Sequence, residues 1–289
     1  MITYSPPVER NAYTVRYGLP VSTTEPDGGS DRDFIQSIER GMTVLRAFAD
    51  ERTRPTVSEL AAAVQLSRPA VRRILLTFEK LGYARQYRGE WTLTPRILEI
   101  GQGYFTSDSL PEISQPFLQG VADRTQESTS VSVWDEVDVV HVARVEVQRI
   151  MPYAIRVGSR LPAHATAMGK VLLGGVSPDE LDAFFASHEL ERFTPATITD
   201  ATELRRRIEA DRERGYSISC EELEPGMLAA AVPIIVAGTM IGTLSSTSTS
   251  IRSSTEQLVS EVVPLLQATA AEISRAYYLS NRHGPGMPR

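Results

Sequence analysis

Cysteine is nearly absent: the 289 residues contain one, Cys220. A lone thiol excludes an internal disulfide framework and fits a reducing compartment. Histidine is also sparse. The four, His141, His164, His188 and His283, show no paired ligand spacing, so no metal site is expected. No nucleophile motif surrounds Cys220, and a Cys/His enzyme would need one of those histidines beside it with an oriented third group. Catalysis is therefore not expected. No apolar run reaches the eighteen residues of a membrane helix; the longest, 228–235, contains Pro233. The N-terminal stretch lacks the apolar segment of a secretory signal. No internal repeat is found. These absences leave a soluble, cytoplasmic chain without cofactor.

What is present is ordinary in bulk and informative in distribution. The apolar fraction of 42% and charged fraction of 23% are those of a globular protein, and the length suggests two domains. The net charge of −6 divides unevenly, with −1 over residues 1–30, +3 over 31–100 and −8 over 101–289. Between Leu66 and Glu90 the bases are Arg68, Arg72, Arg73, Lys80, Arg85 and Arg88, against the acids Glu79 and Glu90 alone. A compact basic module tied to an acidic body suits a DNA-binding regulator. The plainer alternative is a solvated helix face that balances the acidic body.

Residues 1–30 read as a flexible arm. A helix should begin near Asp33, because Ile35, Ile38, Met42, Leu45 and Phe48 recur at three- and four-residue steps. Thr56 to Glu59 has the form of a capping box, opening a helix over 57–63. After a turn at 64–66, Ser67 caps a third helix with Pro69 in its first turn, buried through Val71, Ile74, Leu75 and Phe78 and ended by Gly82. Residues 83–93 alternate around Arg88-Gly89 as a hairpin. Two helices, a short turn and a hairpin make a winged helix-turn-helix over 31–94.

The second helix of such a pair enters the major groove. Arginine suits its exposed face, since the guanidinium bonds bidentately to guanine O6 and N7. Arg68 and Arg72 share a face, Arg73 lies on its flank, and Ser67 can meet phosphate or base. Arg85 and Arg88 on the wing would contact phosphates or the minor groove.

A linker helix is expected over 95–107. Beyond it, strands are expected near 131–133, 137–147, 152–157, 216–220, 228–236 and 240–248, and helices over 164–173, 178–186, 201–214 and 254–279. Helices beside an antiparallel or mixed sheet give an α+β domain over 108–281, with a flexible tail at 282–289. Residues 162–169 place small side chains at an expected helix start, where a carboxylate can approach backbone N–H groups.

Through residues 35–41 (IQSIERG), 66–75 (LSRPAVRRIL), 158–170 (GSRLPAHATAMGK) and 215–226 (GYSISCEELEPG), in that order, the chain resembles the IclR family of bacterial transcriptional regulators. Residues 158–170 and 190–198 are most similar to the PcaR/PobR branch, which controls aromatic-acid catabolism. The resemblance implies a GAF-like second domain that binds a small organic acid and helps assemble a homodimer or tetramer, with double-stranded DNA bound at an inverted-repeat operator. It places the effector near Ala163, His164, Ala165, Met168 and Gly169, near Ser219 and Cys220, and by the strand of Ser246 and Ser248. Arg156 is a further candidate counter-charge. Many members carry Asp where this chain has Cys220. Each position has a plainer reading: Gly169 and the alanines as tight packing, Met168 as core filler, Cys220 as a small buried hydrophobe, Ser246 and Ser248 as exposed strand residues. An architectural DNA-binding protein without small-molecule input is a further alternative, against which the large acidic second domain argues.

Overall fold

The computed structural model describes residues 34–49, 54–105, 109–135, 137–147 and 155–281. The expected arm at 1–30, the tail at 282–289 and residues 152–154 of the strand expected at 152–157 lie outside them; the described half, 155–157, forms no strand and runs into a turn. The chain divides into two units, Met1–Gly103 and Tyr104–Arg289. Among the described residues no helix is long and apolar enough to cross a membrane.

In the first unit, α1 (Gln36–Arg46) is followed by α2 (Val57–Ala63) and α3 (Arg68–Leu81). Thr56 closes the capping box: its Oγ1 accepts from Glu59 N at 3.3 Å, and Thr56 N donates to Glu59 Oε2 at 2.9 Å. Ser67 Oγ accepts from Ala70 N, and Gly82 ends α3 at φ +84°, a conformation glycine adopts without steric cost. Strands β1 (Ala84–Tyr87) and β2 (Glu90–Leu93) pair antiparallel, with Tyr87 opposite Glu90. Arg88 and Gly89 form the two-residue turn at φ +50° and +87°, the pattern of a type I′ hairpin. Val44, Leu60, Val71, Leu75 and Trp91 make the core. The segment expected as one linker helix begins as a 3₁₀ turn, Pro95–Ile97, and continues as α4 (Leu98–Gln102).

The second unit is a six-stranded sheet, antiparallel throughout. Its strands are β3 (Ser128–Asp135), β4 (Asp138–Val145), β5 (Arg160–Pro162), β6 (Ser217–Cys220), β7 (Met227–Val236) and β8 (Thr239–Thr249), in the order β5-β4-β3-β8-β7-β6. Helices α5 (Leu110–Thr125), α6 (Ala167–Leu173), α7 (Pro178–Ser187) and α8 (Ala201–Arg214) precede a terminal helical stretch that ends in α10 (Val263–Ser280). That stretch opens as α9 (Thr255–Gln257) and widens to a π-helical segment at Leu258–Val262, just before Pro264. Period-two alternation splits the core in two. Leu228, Ala230, Val232 and Ile234 of β7 pack with α5 and α10, while Ala229 and Ala231 pack with α6, α7 and α8.

Candidate functional site

All six basic-module candidates, Ser67, Arg68, Arg72, Arg73, Arg85 and Arg88, are exposed, and the apolar residues between the arginines of α3 turn inward. Among the described residues no carboxylate lies within salt-bridge distance of these arginines. One of the two acids in this segment, Glu79, instead accepts from Gln86 N at 3.4 Å and ties the wing to α3. The outcome is a cationic face without internal neutralisation. Arg88 holds a left-handed backbone that favours Asn or Gly, with its guanidinium 5.2 Å from the Tyr87 ring centroid. Arg88→Asn keeps the turn geometry while deleting the charge. The expected result is weaker binding to all DNA sequences and a salt slope shallower by about 1, measured by titration at several salt concentrations.

In the second unit, a narrow cavity of about 20 Å³ lies between the sheet and α6. Leu161, Ala165, Ala167, Met168 and Ala229 give it an apolar wall, and Leu223 and Met227 lie on the β6–β7 side. Its polar residues are His141, Ser219 and Thr247 from the sheet and Thr166 from the cap of α6. His141 is 2% exposed, and burial, with the nearby Arg144 charge, lowers its pKa to about 3. The imidazole is therefore neutral at pH 7. Nδ1 lies 2.9 Å from Ser132 Oγ, and Nε2, buried, has no partner among the described residues. Folded-state stability should decline as pH falls from the unfolded value of about 6.5 toward 3, since the unfolded chain takes up the proton first. Thermal melts of His141→Leu should show a shallower loss over that range.

A bulge places a further polar side chain, Arg144, on the same face of the sheet, outside the residues that line the cavity. Ser132 pairs with His141 and Ser130 with Arg144, the register shifting between Val131 and Ser132. Residues three apart in a regular strand face opposite ways, but the extra residue on β4 brings His141 and Arg144 to one face. Ser130 and Ser132 also pair with Ser245 and Thr243 of β8. The result is a band of hydroxyls, one imidazole and one guanidinium on the α6 side. Arg144 Nη1 donates to Ser130 Oγ at 2.8 Å, its buried Nε has no partner among the described residues, and burial lowers its pKa.

Three of the ten expected effector positions line this cavity: Ala165, Met168 and Ser219. Ala163 and Gly169 stand behind it, packed so closely that a Cβ on Gly169 would lie 2.1 Å from Ala163 O. His164 is buried but turns to Glu191 O at 2.9 Å and stacks on Phe193. Arg156 is exposed, with its backbone N bonded to Ser159 Oγ. Cys220 is exposed rather than a buried hydrophobe, and it faces away from the cavity that its neighbour Ser219 lines. Ser246 and Ser248 are buried, not exposed strand residues, but they too lie on the far face, where Ser248 Oγ donates to Glu127 Oε1. Thr247 between them faces the cavity. Ser246 and Ser248 do share a face, as alternation requires, and it is the face opposite the cavity. The helix expected from 164 starts at Ala167, with Thr166 as cap, and Thr166 Oγ1 already accepts from Gly169 N at 3.1 Å. That bond takes up one of the N–H groups expected to meet a carboxylate.

Comparison with known proteins follows these two units. The IclR helix-turn-helix domain matches residues 37–88, and the C-terminal domain of bacterial transcriptional regulator IclR matches 102–275. The chain belongs to the IclR family. It is 37% identical over 247 residues to the p-hydroxybenzoate hydroxylase transcriptional activator of Acinetobacter baylyi, covering 83% of this chain and 91% of that one. It is 35% identical to the Pca operon regulatory protein of the same organism, covering 83% and 88%. Among solved structures, an IclR homologue from Microbacterium hydrocarbonoxydans complexed with 4-hydroxybenzoate superposes with a TM-score of 0.75 at 25% identity, over 84% of this chain and 99% of that one. These relatives are transcriptional regulators, not enzymes, and this IclR-family chain is a DNA-binding transcriptional regulator.

Proposed function

We propose that this protein controls an aromatic-acid catabolic operon by binding a small aromatic carboxylate in the cavity beside α6. The observation that carries this reading is the pair of buried nitrogens, His141 Nε2 and Arg144 Nε, left without partners on one face of the sheet. A buried polar group without a partner is costly, and a ligand oxygen relieves the cost. An aromatic ring suits the apolar wall, a carboxylate suits the guanidinium, and a second oxygen on the ring suits His141. The names of the two Acinetobacter relatives and the 4-hydroxybenzoate complex support the same chemical class. The test is Arg144→Gln. The expected loss is about 10–100-fold in affinity for 4-hydroxybenzoate or protocatechuate by calorimetry, with DNA binding retained. Unchanged affinity would move the carboxylate elsewhere.

The exposed face of α3 and the wing would meet DNA, with Ser67, Arg68, Arg72 and Arg73 at the groove and Arg85 and Arg88 on the backbone. Domain limits of 31–94, 95–107 and 108–281 fit this division, and the boundary between units at 103/104 falls inside the linker. A homodimer would read an inverted repeat. On α1, Ile38 and Met42 are 60% and 46% exposed, with Ile35 at its N-cap 57% exposed, a stripe suited to a second copy. Such a regulator would act in the cytoplasm.

A further inference from the structure

On the opposite side of strand β6 from the effector cavity lies a second, larger one of about 390 Å³. It is built by the polar side of α8, by β6 and by the start of the terminal helix. Its back wall carries a carboxylate with one free oxygen. Glu222 is 6% exposed; its Oε1 meets Lys170 Nζ at 2.6 Å, and its buried Oε2 has no partner among the described residues. An ionised carboxylate only accepts, so Oε2 calls for a donor. The rim carries the opposite requirement. Arg207 and Arg214 share a single acceptor, Asp211 Oδ1, at 2.9 and 2.5 Å, while the buried Asp211 Oδ2 has no partner among the described residues; two guanidinium groups against one carboxylate leave this pole one positive charge in excess. Their remaining bonds go to Ile218 O and Tyr216 O, which leaves Nη1 of each without a partner among the described residues. Between these poles the lining is apolar: Ala196, Ile198 and Val259.

We propose that this second cavity binds a small zwitterion, an α-amino acid with an apolar side chain. The ammonium donates to Glu222 Oε2, the carboxylate accepts from Arg207 and Arg214, and the side chain covers Ile198 and Val259. Neither a simple acid nor a simple amine satisfies both poles. The site shares no lining residue with the cavity proposed above for the aromatic acid.

Cys220, the chain's one thiol, lines the same cavity and is exposed, so it reports occupancy. The full-length protein is alkylated with N-ethylmaleimide and followed by intact-mass spectrometry, with L-leucine, 4-methylpentanoate or 3-methylbutylamine present. L-Leucine about tenfold above its Kd slows labelling by about tenfold, saturably. Each single-charge analogue lacks one charged hydrogen-bond set and needs about 10–100-fold higher concentration for the same protection. Ala196→Trp, at an exposed rim position, keeps Lys170 and Glu222, fills the cavity and abolishes protection, its melting temperature reporting that the fold is kept. Absence of protection by leucine, equal protection by all three compounds, or protection undiminished in Ala196→Trp overturns the proposal.

Discussion

Arg72→Ala is expected to weaken binding to the specific operator by about 10–100-fold while reducing binding to random DNA far less. A bidentate guanidinium–guanine contact discriminates against the wrong base by about 1–3 kcal/mol, whereas a phosphate contact is sequence-blind. Arg72 sits on the exposed side of α3, one residue after buried Val71 and three before buried Leu75. Its backbone is therefore held by the core while its side chain is free. Two supports fix the angle at which it is presented: Ser67 at the start of α3 and Gly82 at its end. Fluorescence anisotropy on operator and scrambled fragments, at matched salt, separates the two contributions. Equal loss on both fragments would reassign Arg72 to the phosphate backbone. The contrast with Arg88→Asn matters here, because that variant is expected to lose both kinds of binding together.

The largest stability effect is expected at Lys170. It is one of two lysines in the chain, and it is wholly buried. Burial draws its pKa down, and the adjacent Glu222 carboxylate, with a smaller contribution from Asp211, offsets that only in part. Lys170→Met leaves Glu222 buried and uncompensated, at a cost of about 3–5 kcal/mol. For a unit of this size the melting temperature should fall by roughly 10 °C. The double variant Lys170→Met with Glu222→Leu removes both charges and should recover most of that loss, since a buried ion pair contributes little net stability over an apolar pair. Differential scanning fluorimetry on the three proteins tests it. Additive losses in the double variant would show that each side chain acts through separate contacts.

The legible parts of this molecule were those written in local chemistry. Thr56, Glu59, Ser67, Pro69 and Gly82 act within a turn of themselves, and the helices they bound run Val57–Ala63 and Arg68–Leu81 as their capping and breaking residues dictate. Helix α8 likewise begins after Asp200 and ends at Gly215. Helix α5 escaped sequence reading because Pro111, Pro116 and Gly120 look like breakers. Pro111 needs no N–H in the first turn, and Leu118 and Val121 gain enough from burial against the sheet to hold the rest. Strand β5 is three residues long and has no pattern of its own; its place is set by pairing with β4.

The effector cavity was less legible for a related reason. Which face a strand residue joins depends on register with a distant partner, and on a bulge that only the paired strands reveal. So Ser246, Ser248 and Cys220 fall on the far side, while Thr247 and His141 face in. His141 and Arg144 lie three apart in a strand, a spacing that alternation alone assigns to opposite faces. Arg156 was the reasonable counter-charge on sequence grounds, yet it is exposed, and the buried guanidinium belongs to Arg144. The small residues at 163–169 do matter, but largely because Gly169 packs on the backbone of Ala163.

The central claim is that DNA binding by the first unit and acid binding by the second are one coupled equilibrium. The direct measurement is anisotropy titration of the purified protein onto DNA from upstream of its own and neighbouring genes, with and without 4-hydroxybenzoate or protocatechuate. The account predicts sequence-selective binding whose affinity one of these acids changes by a definite factor. Calorimetry of that acid with and without operator DNA should return the same factor, as linkage requires. Selective binding indifferent to every aromatic acid, or no selectivity against random genomic DNA, would contradict it.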